Sequence, residues 1–259
     1  MCSGIKLVAE DGTVFVGRTF DARGDVKFKA IATDTFKGTM TLNGVCLDGM
    51  NVHGLVALAL YFPGYTYNVP SRLKINVKHT HVISFFLEKT RNVQDVFDVL
   101  SEVNIIDSDD SFPSVQWFFA DSSGATLVLE PGHERLNWHR NINVCTNSPS
   151  SAVSVEPKAQ DLPGDFSSAS RLARLRFFAT HVTRLQDKKK AANTVFRILN
   201  NFDIPPGVSD ESTLYTSVYN LTDNIMSHRT DVQAMIRGIQ PSKSSSTRPS
   251  RNTIPADGP

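Results

Sequence analysis

Apolar residues recur with two different periods along this chain, and the changes of period mark its elements. "IKLVAE" and "TVFVGRTF" are β-rich runs on either side of Asp11-Gly12. Asp-Gly between two such runs is a strong hairpin signal. The antiparallel return of that hairpin brings Arg18 and Asp21 back towards Cys2, at the start of the first strand. "DVKFKAIATDTF" alternates and reads as one further strand. "GLVALALYF", residues 54–62, is almost continuously apolar, as expected of a strand buried on both faces. Pro63-Gly64 ends it.

Over residues 79–104 the period lengthens. Val82, Phe85, Phe86 and Lys89 open one helix. Asn92 caps a second, with Val93, Val96, Phe97 and Leu100 as its apolar stripe. Strands return in "SVQWFFAD", "ATLVLEP", "RLNWH" and "NINVCTN". Helices follow at about residues 167–183 and 188–201. The first carries Leu172, Leu175, Phe178, Ala179 and Val182 on one side. "TLYTSVYNL" and a weaker run over residues 225–239 are late strands. Residues 241–259 are rich in Ser and Pro and lack an apolar pattern, as expected of a disordered tail. Residues 2–240 then form one domain. The order of strands and helices is not the βαβ alternation of a parallel sheet; it predicts an α+β fold of antiparallel sheets covered by helices.

Composition narrows the function. The 259 residues are 40% hydrophobic, enough for a substantial core. A net charge of +1 gives no reason to expect a nucleic-acid partner. No run approaches the roughly 20 apolar residues of a membrane span, and the N-terminus has no apolar signal segment. Three widely spaced cysteines, Cys2, Cys46 and Cys145, fit neither a disulfide framework nor a metal site. A cytoplasmic location is expected. Cys2 poses a chemical question. With Met1 removed, it carries a thiol and a free α-amine, a nucleophile and a base on one residue. Taken alone, it is equally a cysteine tolerated at a frayed terminus.

"MCSGI", "GRTFD", "DGMNVHGL", "YFPGY", "TNSP" and "LPGDFSSASR" occur in this order. On these motifs the chain resembles the choloylglycine hydrolase family, which includes penicillin V acylases and bile-salt hydrolases, over residues 2–240. The resemblance implies an N-terminal-nucleophile hydrolase with a four-layer αββα sandwich and no metal or organic cofactor. The chemistry of the residues agrees. Cysteine attacks as thiolate, and a free thiol has a pKa of about 8.5. An α-amine, with a pKa of about 7.7–8.0, can take up the proton without a histidine.

The same resemblance assigns roles. Arg18 of "GRTFD" lies beside the thiol, where its charge favours the thiolate, and Asp21 orients the α-amine. Read without the resemblance, Arg and Asp three apart are also a turn-stabilising ion pair. Asn147 of "TNSP" offers a side-chain N–H to the oxyanion of a tetrahedral intermediate; it is otherwise a turn residue before Ser-Pro. Tyr61 of "YFPGY" offers a main-chain N–H to the same oxyanion, and is also an ordinary apolar strand residue. Penicillin V acylases more often carry Tyr here, and many bile-salt hydrolases Asn. Arg171 faces the active site from a helix that Asp165 can cap. Its alternative is a solvated helix arginine, the reading that also suits Arg174 and Arg176. Cys145 reads as packing, and Asn51 and Asn68 as turn residues.

Two stretches are shorter than in relatives. Asp21 and Gly49 are 28 positions apart, and Asn147 and Pro163 are 16 apart. The first stretch borders the acyl pocket in the family, and the second supplies subunit contacts, so a monomer or dimer is expected. The chain reads as a penicillin V acylase-like amidohydrolase of small N-acyl amides, acting through an acyl-thioester. Bile-salt hydrolase and N-acyl-homoserine-lactone acylase activities are alternatives within the enzyme class. A non-catalytic binding protein on the same fold is the alternative outside it; the joint presence of Cys2, Arg18, Asp21, Asn147 and Arg171 weighs against that.

Overall fold

The hairpin signalled by Asp11-Gly12 is present in the computed structural model. It joins β1 (Cys2–Val8) to β2 (Val14–Ala22), with Gly12 at φ +83° and Asp11 Oδ1 accepting the Thr13 N–H at 2.9 Å. A left-handed φ of that size is a conformation glycine adopts without steric cost. The described residues are 2–24, 26–63, 67–108, 112–132, 136–150, 166–182, 185, 188–207 and 209–230. The expected tail and the run beyond Thr230 lie outside them.

Two antiparallel sheets face each other. β1 and β2 lie within a five-stranded sheet with β12 (Val144–Cys145), β13 (Ser212–Asn220) and β14 (Ile225–Thr230), in the order β12-β1-β2-β13-β14. The second sheet has seven strands: β3 (Phe28–Ala32), β4 (Phe36–Thr41), β5 (Cys46–Asn51), β6 (Val56–Tyr61), β9 (Val115–Ala120), β10 (Thr126–Glu130) and β11 (Asn137–Arg140). Its order is β11-β10-β9-β6-β5-β4-β3. Helices α1 (Val82–Lys89) and α2 (Val93–Val99) cover the outer face of the larger sheet, and α3 (Ser168–His181) and α4 (Lys188–Asn200) that of the smaller. The result is the αββα sandwich.

β6 shows why the apolar run of residues 54–62 belongs at the centre. Leu55, Ala57 and Ala59 pack outwards beneath the helices, while Val56, Leu58 and Leu60 pack inwards against the smaller sheet. A strand covered on both sides has no face for polar residues. Asn92 caps α2 as expected, its side chain accepting the Asp95 N–H at 2.9 Å.

Three expectations are corrected. "DVKFKAIATDTF" is not one strand: the chain reverses between β3 and β4, where the Thr33 hydroxyl accepts the Phe36 N–H at 3.0 Å and donates to its carbonyl at 2.9 Å. A hydroxyl that binds local backbone makes a turn from an otherwise alternating run. The helical stretch also stops short of residue 104. β7 (Ile75–Lys78) pairs in parallel with β8 (Val103–Ile106), and four residues are too few to show a period. Ser167 caps α3 through the Ser170 N–H, the place expected of Asp165, which lies outside the described residues.

Gly17, in "GRTFD", lets α4 sit directly on β2. A Cβ there would stand 2.6 Å from Leu199 Cδ1 and 2.7 Å from Val195 Cγ1. Gly17→Val should therefore lower stability by about 1–3 kcal/mol through overpacking. Urea denaturation checks this; a midpoint equal to the parent protein's contradicts it.

Candidate active site

Side chains alternate across a strand, so residues three apart on β2 project from opposite faces of the smaller sheet. Arg18 points into the space between the sheets, and Asp21 points out towards α3. They are therefore not a local ion pair. The hairpin register sets Cys2 opposite Phe20 and Gly4 opposite Arg18, which places the Cys2 thiol on the inner face beside the guanidinium. Arg18 Nη2 lies 3.2 Å from Cys2 Sγ. Its Nη1 donates to the Leu47 carbonyl at 2.9 Å and to Asp48 Oδ2 at 3.2 Å. The guanidinium carbon lies 5.0 Å from the Phe20 ring centroid and 5.5 Å from that of Tyr215. Arg18, Asp48 and Tyr215 are buried.

The outer face carries a second buried pair. Arg171, from α3, donates through Nη1 to the Cys2 carbonyl and to Ser3 Oγ, both at 2.7 Å, and approaches Asp21 Oδ2 at 3.4 Å. Asp21 also accepts the Thr213 hydroxyl at 2.6 Å. Asn147, just past β12, joins the two sides. Its Oδ1 accepts from Arg171 Nη2 at 2.9 Å and from the Cys2 main-chain nitrogen at 2.7 Å. Arg171 has only donors, so the oxygen of Asn147 must face it, and Nδ2 is turned to the Tyr61 carbonyl at 2.6 Å. Arg171 is thus buried rather than solvated. Arg174 is buried too, donating to the Asn201 carbonyl at 3.0 Å and lying over Phe202.

The main chain of Tyr61 has a defined direction. Its partner across β6 and β9 is Val115, whose N–H and carbonyl both engage the Tyr67 hydroxyl, at 2.8 and 3.1 Å. Tyr61 and Val115 are therefore a non-hydrogen-bonded pair of the ladder. The Tyr61 N–H points to the same edge as its carbonyl, the edge where Asn147 sits. The six predicted residues thus form one connected cluster around the Cys2 backbone. Asn51 and Asn68 lie apart from it: the Asn51 amide caps the end of α1 through the Leu87 and Thr90 carbonyls, and Asn68 bridges to Ile106. Cys145 is buried core.

A model of the linear amide C–N hydrolases, choloylglycine hydrolase family, matches residues 25–160 and 151–240. The chain belongs to this family. Uncharacterized protein A284L of Paramecium bursaria Chlorella virus 1 is 39% identical over 261 residues, covering 85% of this chain and 94% of that protein. The bile salt hydrolase/transferase of Clostridium perfringens is 26% identical, covering 94% and 93%. The penicillin V acylase structure from Agrobacterium tumefaciens superposes with a TM-score of 0.75 at 18% identity, covering 88% of this chain and 83% of that one. The αββα sandwich is common ground with that structure.

For a linear amide hydrolase, the electrostatics of the cluster matter most. Burial works against the Arg18 charge, but Tyr215, Cys2 and Asp48 around it outweigh burial and raise its pKa. Burial also lifts Asp21 and lowers Arg171, each opposed by the other's charge. It holds the Cys145 and Cys46 thiols up, so both stay protonated. Among the described residues, no three His, Cys, Asp or Glu side chains come together as a metal site, and no helix is long and apolar enough to cross a membrane.

The sequence reading missed several supporting residues. Asp48 accepts from Arg18, Tyr215 and Tyr219. The buried Gln116 amide donates to the Thr146 carbonyl and so holds the chain just before Asn147. Tyr215, Ser217 and Tyr219 recur with a period of two, which marks a shared face but names no partner. His228 lies opposite Ser217, bonds its hydroxyl through Nδ1 at 3.0 Å and stacks on Tyr215 at 4.8 Å. Burial holds it below its ordinary value of 6.5, only partly opposed by Asp48.

Below that value the unfolded chain takes up the proton before the folded one does. The stability that neutral His228 contributes is complete above pH 6.5 and is lost as pH falls towards the lower folded value. His228→Gln should lessen the loss of stability between about pH 7 and about pH 5.5. Urea midpoints at the two pH values check this; an undiminished difference in the variant contradicts it.

Proposed function

We propose that Cys2, made N-terminal by removal of Met1, is the nucleophile of this amide hydrolase. The contact between Arg18 Nη2 and Cys2 Sγ at 3.2 Å carries the reading, because a permanently charged donor favours the thiolate. The freed α-amine accepts the thiol proton. Sulfur attacks the amide carbonyl, forming a C–S bond, and the carbonyl oxygen takes up the negative charge. The Tyr61 N–H and the second N–H of Asn147 Nδ2 are donors aimed at that oxygen. Collapse breaks the C–N bond, and the α-ammonium gives its proton to the departing amine. Water, deprotonated by the α-amine, then attacks the acyl-thioester, and the C–S bond breaks to release the acid. Asp21 and Arg171 orient the Cys2 backbone and its nitrogen from the outer face.

Cys2→Ser should nearly abolish turnover, and Asn147→Ala should lower kcat by about 10²–10³. Both variants should stay folded, Asn147→Ala with a lower urea midpoint because it takes an acceptor from the buried Arg171. The active form should lack Met1 by intact-mass spectrometry. Normal hydrolysis by Cys2→Ser, or by protein that keeps Met1, removes the nucleophile assignment.

The substrate we infer is a linear amide of a flexible aliphatic or aryl acyl group, in the manner of penicillin V, rather than a conjugated bile salt. Phe20 stands opposite Cys2, and Phe28 and Phe112 flank it around Tyr215, all partly buried. Only residues 23–27 join β2 to β3, which leaves little wall for a rigid steroid. Apolar contact area drives such binding, so a short aromatic wall favours flat or flexible acyl groups. The deciding measurement is kcat/KM for penicillin V, a long-chain acyl-homoserine lactone, and glycine- and taurine-conjugated cholate. Penicillin V or the lactone should lead; preference for a cholate conjugate overturns the substrate assignment and leaves the nucleophile untouched.

A further inference from the structure

Three donors of the smaller sheet converge on one carboxylate of the larger. Asp48, on β5, is fully buried. The hydroxyls of Tyr215 and Tyr219 donate to its two oxygens at 2.6 Å each, and Arg18 Nη1 donates at 3.2 Å. Burial keeps both tyrosine hydroxyls protonated, hence donors. The other terminal nitrogen of Arg18 faces Cys2 Sγ at 3.2 Å. Once the thiol ionises, one guanidinium stands between two anions, Asp48 on one nitrogen and sulfur on the other.

The geometry points to Asp48 as a positioning residue that sets how much of the Arg18 charge reaches Cys2. It holds the guanidinium with Nη2 turned to the sulfur, and its own charge competes for the same cation. The two tyrosines spread the Asp48 charge and so moderate that competition. This inference rests on the reading of Cys2 as nucleophile. The balance matters because a thiolate that is stabilised too far attacks more weakly, its nucleophilicity falling by about 0.4–0.5 of the change in basicity. The Cys2 α-amine titrates beside the thiol and is common to the parent and both variants; the remaining charged neighbours belong to other elements. Arg171 reaches the Cys2 carbonyl from α3, paired with Asp21 behind the sheet. Cys145, on β12, is neutral, and His228, on β14, is separated from Asp48 by the Tyr215 ring it stacks on. Neither substitution used below removes any of these groups, and Asp48→Asn takes away the charge that partly opposes burial at His228, which leaves that ring neutral.

The test is the pH dependence of Cys2 alkylation by iodoacetamide, read by peptide mass spectrometry on the purified protein. Cys46 and Cys145, as buried as Cys2 but held protonated, are internal controls. Asp48→Asn keeps the shape and removes the competing charge, so the midpoint should fall by about one pH unit, the lower end of what one nearby charge does. Tyr219→Phe removes one donor from Asp48 and leaves more of its charge on Arg18, so the midpoint should rise. Opposite shifts are not the outcome of a general loosening of the fold. A folded Asp48→Asn with an unmoved or raised midpoint overturns the inference, as does Tyr219→Phe with an unmoved or lowered one. If Asp48→Asn does not fold, Tyr219→Phe decides alone. Alkylation needs no turnover, so failure of the nucleophile reading shows separately, as normal hydrolysis by Cys2→Ser.

Discussion

The structure depends on a guanidinium buried between two sheets. Arg18 is surrounded by the Asp48 carboxylate, the Leu47 carbonyl, the Cys2 sulfur and the faces of Phe20 and Tyr215. A charge in such a place is tolerable only when every donor has an acceptor, and removing one partner of a buried pair typically costs about 3–5 kcal/mol. The ion pair also crosses the layers: Arg18 belongs to the five-stranded sheet and Asp48 to the seven-stranded one. It therefore fixes how the sheets sit relative to each other at the end where Cys2 lies.

Strand geometry splits the site in two. The alternation that sends Arg18 inwards sends Ser3 and Asp21 outwards, where Arg171 waits on α3. Each arginine has its own carboxylate, and Arg18 in addition turns its second terminal nitrogen to the Cys2 sulfur. The backbone of Cys2 lies between the pairs, held through its carbonyl by Arg171 and through its nitrogen by Asn147. Asn147 in turn reaches Tyr61 of the opposite sheet. On the proposed mechanism a carbonyl beside the sulfur would meet donors from both sheets at once, which neither sheet could arrange alone.

Much of this was legible because it is written locally. The Asp11-Gly12 turn, the two-sided burial of β6 and the Asn92 cap each follow from a few consecutive residues, since backbone preference and side-chain period act over that range. The motif order also pointed to the family and to the residues of the cluster. Local signals misled where they were too short or had a competing partner. β7 and β8 are four residues each, and Thr33 turns the chain inside an alternating run.

By itself, then, the sequence determined most of the element types and the identity of the chemical groups. The tertiary structure alone decided which groups meet. Arg18 and Asp21, neighbours in the chain, part to opposite faces of one sheet, while Asp48 and Tyr219, 171 positions apart, share a hydrogen bond. Arg171 and Arg174 look alike on the helix, yet one grips the Cys2 backbone and the other the Asn201 carbonyl. No period or propensity encodes such choices, because they arise from how two twisted sheets stack and where α3 crosses the end of β1.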